Sequence, residues 1–147
     1  MNALEILKQD HQKVKQLFQE ATHASDQNKR KDLFDKIDTE LEIHAHIEET
    51  VFYPALEEHE ELTDMVAEAL EKHQEAKSLL EETEELGPEN HDFGSKLQEL
   101  METVEHHVEE EEGEMFPKIR ELFDEAQLEQ LGKELESAKG TAHREVG

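Results

Sequence analysis

Apolar residues recur every three or four positions along most of the chain, the spacing that places them on one face of an α-helix. Four stretches are long enough for helices: about 3–21, about 33–59, from 63 or 64 to beyond 80, and from 93 until Pro117 interrupts the pattern. Short polar segments separate them, the clearest being 87–90, Gly-Pro-Glu-Asn. The pattern therefore predicts an all-α, up-down-up-down four-helix bundle.

Individual residues set limits on these helices. Pro54 lies within the second helix, so we expect a kink or a break close to it. Thr63 or Asp64 can cap the third helix. The inner face of that helix is predicted from its spacing to consist of Val66, Leu70, His73 and Leu80.

A fifth apolar pattern follows the bundle. Leu128, Leu131 and Leu135 predict a short extra C-terminal helix that packs across the other four, and the chain after Lys139 is expected to fray. We accordingly divide the chain into a bundle at 1–122 and a C-terminal helix and tail at 123–147.

Composition narrows the choice of partners and chemistry. Only 34% of the residues are hydrophobic, and disorder is a reasonable alternative, but the helical periodicity argues against it. A formal net charge of -25 repels nucleic acid and anionic membranes, so we expect neither as a partner. The absence of cysteine excludes disulfides, iron–sulfur clusters and thiolate zinc sites. No apolar stretch predicts a signal peptide or membrane span, so the expected location is cytoplasmic.

The two halves of the chain repeat each other. The pattern His-Gln-x-x-Lys-x-Leu-x-x-Glu occurs at 11–20 and again at 73–82. The pattern His-x-x-x-Glu-Glu followed by Pro occurs at 44–54 and again at 107–117. The two histidines of each half are 33 residues apart in the first half (11 to 44) and 34 apart in the second (73 to 107). The repeat predicts a bundle with pseudo-two-fold symmetry.

Six ionisable residues of this repeat fall on faces that must be buried. Residues four apart in a helix lie about 40° apart around its axis and about 6 Å along it, so each His-x-x-x-Glu pair points the same way. A single buried histidine is usually a satisfied structural residue, but burying six such groups without partners would cost several kcal/mol. Metal binding explains the set, which consists of His11, His44, Glu48, His73, His107 and Glu111.

The number of ligands indicates two ions. Six exceed the needs of one tetrahedral structural zinc. Shared between two ions, they give each metal two imidazoles and leave the two carboxylates free to bridge. Imidazole and carboxylate ligands with open positions suit Fe(II) or Fe(III) best, and Mn or Zn less well.

Other polar residues of these helices are expected to face solvent or to pack. His106 with Glu110 forms a second pair at helical spacing, but its neighbours are polar, as are those of His46. Lys77 lies near the inner stripe and is expected to extend outward. Tyr53 lies nine residues beyond His44, about 180° away on an ideal helix, so packing is its expected role unless Pro54 turns the chain.

The order and spacing of these motifs resemble the hemerythrin-like, or HHE cation-binding, family over about residues 4–122. The resemblance rests on the lone histidines at 11 and 73 and on the two His-x-x-x-Glu-Glu runs that lead into Phe-Tyr-Pro and Met-Phe-Pro. It implies an oxo- or hydroxo-bridged di-iron centre. The four histidines would be terminal ligands, and Glu48 and Glu111 would be bridging carboxylates.

One position departs from the family's oxygen carriers. The oxygen carriers of the family have a His-x-x-x-His pattern on the third helix, whereas this chain has Lys77 at the second of those positions. With four histidines, both irons should keep exchangeable positions. We therefore expect readier reaction with peroxide or NO, and faster autoxidation, than a dedicated carrier shows.

The sequence leaves three functions open. The leading hypothesis is a non-haem di-iron protein that binds O2 or reacts with O2, peroxide or NO; if it is an enzyme, catalase-like peroxide decomposition is the simplest reaction. The alternative is a non-catalytic iron buffer, donor or sensor. A metal-free acidic helical interaction protein is the third. The expected partner is a small diatomic ligand or peroxide, and the oligomeric state, monomer or weak dimer, is left open.

Overall fold

The computed structural model describes residues 1–146, which form seven α-helices and no strand. The first four are α1 (Ala3–His23), α2 (Gln27–Ile47), α3 (Tyr53–Leu56) and α4 (Thr63–Leu86). The remainder are α5 (Phe93–Glu110), α6 (Phe116–Leu122) and α7 (Glu125–Val146). A π-helical turn, Glu48–Phe52, joins α2 to α3, and a second, Glu111–Met115, joins α5 to α6.

The helices form the predicted four-helix bundle. Counting each π-turn with its neighbours, the bundle helices are α1, α2–α3, α4 and α5–α6. The chain packs α1 against α2 and α5, and α4 against α3 and α5. Helix α7 lies along the outside of this bundle, against α1, α2 and the first π-turn.

The N-termini of the bundle helices differ in how they are capped. Asn2 caps α1 in a capping box with Glu5, and Asp26 accepts a hydrogen bond from the backbone N–H of Lys29 at the start of α2. The cap predicted for the third helix at Thr63 or Asp64 is wrong. A 3₁₀ turn, Glu60–Leu62, leads directly into α4, and the residue at its N-cap, Leu62, makes no side-chain cap. The turn satisfies the first backbone groups in place of a side chain.

The disturbance expected near Pro54 takes the form of the first π-turn. The backbone N–H of Tyr53 donates to the carbonyl of Glu48, five residues back, and that of Phe116 donates likewise to Glu111. In a regular helix the proline ring would clash with the carbonyl four residues earlier. The wider turn precedes both Pro54 and Pro117, so the repeat extends to this detail of the backbone.

Two apolar clusters bury the bundle interior, and the polar repeat residues lie between them. One cluster is built mainly from the two π-turn regions, α7 and the start of α1; its largest side chains include Phe52, Tyr53, Leu62 and Phe116. The other fills the opposite end around Phe18, Phe34 and Phe93. The six predicted ligands thus lie in one interior layer.

Two expectations about burial need correction. Leu70, predicted on the inner face of the third helix, is 38% exposed. It lies at the edge of a cleft between α2 and α4, where the two helices do not cover it. The C-terminal helix has 22 residues and extends past Lys139, where the sequence predicted fraying. Beyond the three predicted leucines, Ala142 is also buried, so the packed face of this helix continues past Lys139; Gly147 lies outside the described residues. No helix within residues 1–146 combines the length and apolar character needed to cross a bilayer.

Candidate metal centre

The six residues predicted as ligands converge on one interior site. Glu48 and Glu111 are completely buried, and the side chains of the four histidines are between 5% and 12% exposed. Their ligand atoms fall into two groups, each spanning at most 4.8 Å. We name them position 1 (His11, His44 and Glu111) and position 2 (Glu48, His73 and His107).

Each carboxylate lies between imidazoles of both positions. The Oε1 atom of Glu48 is 3.2 Å from Nε2 of His44 and 3.1 Å from Nε2 of His73. Glu111 uses one oxygen for each position: Oε1 is 3.3 Å from Nε2 of His11, and Oε2 is 3.3 Å from Nε2 of His107. Each carboxylate is therefore within reach of both positions.

The outward-facing ring nitrogens of three histidines meet carboxylates. Nδ1 of His11 is 2.6 Å from Glu112, and Nδ1 of His73 is 2.9 Å from Glu49. These two contacts are repeat-related and cross between the halves of the chain. Nδ1 of His44 is 3.1 Å from Asp10. A proton held at Nδ1 leaves Nε2 with a free lone pair directed at the site, the tautomer that a metal ligand needs.

The unpaired buried atoms of the site indicate which kind of ligand it fits. Among the side chains of residues 1–143, the buried nitrogen and oxygen atoms without a hydrogen-bond partner all belong to the six residues: Nε2 of His11, His44 and His107, Oε2 of Glu48 and Oε1 of Glu111. Native proteins rarely leave such atoms unpaired, because each costs about 1–3 kcal/mol. Nitrogen and carboxylate donors directed at common points fit a pair of transition-metal ions.

The charges in the site stabilise one another. Burial alone lowers the pKa of His44, but the charge of Glu48 and the hydrogen bond to Asp10 outweigh it, so this pKa lies well above its ordinary value. Burial alone raises the pKa of Glu48. The charge of His44 and its hydrogen bond outweigh burial, so the pKa of Glu48 lies well below its ordinary value. The imidazole of His44 therefore favours its protonated form until a bound cation displaces the proton.

Tyr53 is a seventh polar residue of the site; the packing role expected on an ideal helix does not hold, because the chain turns next to Pro54, the exception that the sequence left open. Its hydroxyl lies 2.9 Å from Oε2 of Glu111 and 3.3 Å from Nε2 of His73. A regular helix turns Tyr53 away from the site, but the π-turn brings residues five apart, Glu48 and Tyr53, onto the same side. The Pro54 that follows was the available signal. Burial, then the charges of Glu48 and Glu111, raise the pKa of Tyr53.

The repeat counterpart of Tyr53 is Phe116, which has no hydroxyl. Its ring stacks on His11 with centroids 6.3 Å apart, while the Tyr53 ring lies 5.5 Å from that of His73. Phe52 and Met115, which lie one turn beyond each Glu in the sequence, are buried in the adjacent apolar cluster. Position 2 therefore has a phenol beside it where position 1 has a phenyl ring.

A cleft of about 750 Å³ between α2 and α4 reaches the site. All four histidines of the site line it, together with apolar side chains such as Val14, Leu41, Leu80 and Val104. Carboxylates from both helices surround its outer part, among them Asp38, Glu42 and Glu84. Burial and the neighbouring carboxylates, Glu42 first, raise the pKa of Asp38 to about 6.

The remaining candidates lie where the sequence placed them. His106 pairs with Glu110 at 2.9 Å on the outer surface, with 58% of the His106 side chain exposed. His46 is exposed. Lys77 is exposed and lines the cleft without reaching the ligands.

Comparisons with known proteins agree with this geometry. The model of the hemerythrin HHE cation binding domain matches residues 2–119. A crystal structure of a hemerythrin HHE cation binding domain-containing protein from Mycobacterium kansasii superposes with a TM-score of 0.86 at 28% identity, over 97% of this chain and 87% of that one.

Curated relatives include proteins of different lengths. An uncharacterized protein of Mycobacterium tuberculosis is 30% identical over 92% of this chain and 83% of its own length. An uncharacterized hemerythrin-like protein of Schizosaccharomyces pombe is 27% identical over 88% of this chain and 65% of its length. A protein of Nostoc sp. named DNA nickase is 31% identical over the whole chain, which spans only 42% of that protein.

Proposed function

This chain belongs to the hemerythrin HHE cation-binding domain family, and from that premise we propose that it holds two iron ions and uses them to react with dioxygen, peroxide or NO. The ligands in this proposal are the six residues of positions 1 and 2, with Tyr53 as a further group beside position 2. Mn or Zn would fit the same donors less well.

One observation carries the proposal. The unpaired buried atoms of the described chain all face the two positions, and both carboxylates lie between them. Two cations would satisfy these atoms together, whereas one would leave part of the set unpaired. Open coordination sites follow from the ligand count, since three or four protein atoms at each ion do not fill an iron coordination sphere.

The protein's own residues account for the remaining requirements. The carboxylates of Asp10, Glu49 and Glu112 hold three imidazoles with Nε2 directed inward. The Tyr53 hydroxyl is a hydrogen-bond donor inside the site. The apolar cluster around Phe52 and Phe116 excludes water from one side, and the cleft between α2 and α4 admits a molecule of the size of peroxide from another.

An iron pair supplies two adjacent one-electron redox centres, which suits the two-electron chemistry of peroxide. In catalase-like turnover two molecules of peroxide give one O2 and two waters. One peroxide is oxidised and the other reduced, so no further oxidant or reductant is needed. Lys77 supports reactivity over reversible oxygen carriage, because it stands where the carriers have another histidine.

The activity named for the Nostoc relative is not proposed here. More than half of that protein lies outside the matched region, and this chain's net charge of -25 opposes binding to DNA.

The test combines metal content with turnover. Protein loaded with Fe(II) under argon and then exposed to air should retain about two irons per chain, absorb in the near-ultraviolet, and release one O2 for every two peroxides consumed. His44→Ala and Glu111→Ala should lose iron and turnover, whereas His46→Ala and Glu109→Ala, at exposed positions of the same helices, should keep both. Two bound irons without peroxide, O2 or NO reactivity would leave an iron buffer or donor and overturn the proposed reaction.

A further inference from the structure

Besides the Tyr53 hydroxyl, the two metal positions differ in the carboxylate that contacts the outer ring nitrogen of one histidine. His44 and His107 are repeat counterparts, and each is followed four residues later by a carboxylate of the site. Nδ1 of His44 faces Asp10, which is only 5% exposed. The residue at the corresponding place in the second half is Lys72, and among the described residues no carboxylate meets Nδ1 of His107.

Helix α7 secures this difference. The ammonium group of Lys139 donates a hydrogen bond to Oδ1 of Asp10, while Oδ2 faces His44. A lysine, a buried carboxylate and an imidazole thus form a continuous chain from α7 to position 1. Helix α7 lies against α1 and α2, the helices that supply the histidines of position 1. The repeat has no second copy of this helix within residues 1–146.

We propose that the two metal positions are unequal, with Asp10, held by Lys139, making position 1 the tighter one and position 2 the one that exchanges its metal more readily. This inference rests on the proposed two-metal centre. A carboxylate at Nδ1 fixes the ring orientation and increases the basicity of Nε2, and removing such a partner typically weakens metal binding. Each position has one other contact between a carboxylate and Nδ1 of a histidine: Glu112 with His11 at position 1, and Glu49 with His73 at position 2. Among these carboxylate contacts, Asp10 is therefore the difference between the positions.

Half-site variants separate the two positions. His73→Gln should leave position 1 to bind one metal, and His11→Gln should leave position 2. Metal-free protein of each variant is titrated with Co(II) under argon, followed by the visible absorption of Co(II) and by calorimetry. We expect one ion per chain in each, bound more tightly in His73→Gln, and two unequal steps in the unmodified chain.

Asp10→Asn then tests the cause. It should weaken Co(II) binding about 10- to 100-fold in the His73→Gln background and leave the His11→Gln background nearly unchanged. Lys139→Met, which keeps Asp10 but removes its partner, should give a smaller shift in the same background. Lys133→Met, at an exposed position of α7, and Asp32→Asn, at an exposed position of α2, serve as charge-matched controls. Circular dichroism shows whether each variant is folded.

The outcomes are distinct. Equal affinities in the two half-site variants, or an equal effect of Asp10→Asn on both, would overturn the inference and leave the two-metal centre standing. Failure of the unmodified chain to bind any metal would overturn the centre and this inference together. If Asp10→Asn does not fold, the Lys139→Met comparison decides alone: no difference from Lys133→Met would reject the inference.

Discussion

The hydroxyl of Tyr53 donates a hydrogen bond to Oε2 of Glu111 over 2.9 Å, and the two residues are 58 positions apart in the chain. This contact joins the first half of the repeat to a carboxylate supplied by the second. It depends on the π-turn at Glu48–Phe52, which turns Tyr53 inward.

Tyr53→Phe should destabilise the metal-free protein by about 1–3 kcal/mol, because a buried carboxylate loses its donor. The phenyl ring itself should fit, since Phe116 occupies the equivalent place in the repeat. Urea denaturation of the two proteins after chelation measures the difference. A change of only a few tenths of a kcal/mol would mean that the hydrogen bond contributes little.

Removing the metal should lower the thermal stability of the folded protein. Protein with metal at 100 times its dissociation constant should be more stable than metal-free protein by about 2.7 kcal/mol for each site, because the metal binds the folded state alone. Differential scanning calorimetry before chelation, after it, and after adding metal back gives the shift. His107→Ala should abolish most of it, while His46→Ala should not. An unchanged melting temperature after verified metal removal would contradict the prediction.

Glu112→Gln and Glu49→Gln should each weaken metal binding about 10- to 100-fold, because each removes the carboxylate that orients one imidazole. The two effects should be similar, since the contacts to His11 and His73 are repeat-related. Competition with a chelator of known affinity measures them. Glu109→Gln removes the same charge from an exposed position of α5 and should have no comparable effect.

Asp38→Asn should stabilise the protein at neutral pH and not at pH 4. The pKa of Asp38 is raised from 3.8 to about 6 in the folded state, so folding favours the protonated acid. Stability attributable to this group is full below pH 3.8 and is lost as the pH rises through about 6. The amide that replaces this carboxyl cannot ionise, so the gain in stability over the unmodified protein should grow as the pH rises from 3.8 to about 6. Melting temperatures at pH 4 and 7.5 test this, with Asp32→Asn as control; equal gains at both would refute it.

Gly132→Ala should loosen the docking of α7. A Cβ at Gly132 would lie 3.0 Å from the carbonyl carbon of Asn2 and 3.1 Å from the backbone nitrogen of Ala3, with the Met1 carbonyl oxygen closer still. Forcing a methyl group into packed backbone costs about 1–3 kcal/mol. Gly140→Ala, on the same helix with open space around it, should instead stabilise by up to about 1 kcal/mol. Chemical denaturation should show opposite signs for the two variants.

Helical periodicity was sufficient to predict the bundle and to bring together the six residues of the two positions. Residues three, four and seven apart share one face of any regular helix, whatever packs against it. A hydrophobic face must be buried, so a histidine or glutamate on that face is carried into the core. For His44 and Glu48 the local geometry alone fixes their common direction.

Other features depended on the assembled bundle. The partners of the imidazoles, Asp10, Glu49 and Glu112, come from neighbouring helices, and a helix pattern does not contain their distances. Helix α7 extends as far as it does because it packs against α1 and α2, where its apolar side chains are buried. The helix propensity of its last residues did not predict that length.

The sequence by itself determined the helices, their buried faces and the repeat that pairs four histidines with two glutamates, because these follow from a period of 3.6 residues. Only the tertiary structure decided that Tyr53 enters the site, that Leu70 is left at the edge of a cleft, and that Asp10 joins Lys139 to His44. A π-turn changes the rotation of all that follows by a fraction of a turn, and contacts between helices depend on where whole elements dock. The spacing of residues along one helix predicts neither the rotation at a π-turn nor the way in which whole helices dock.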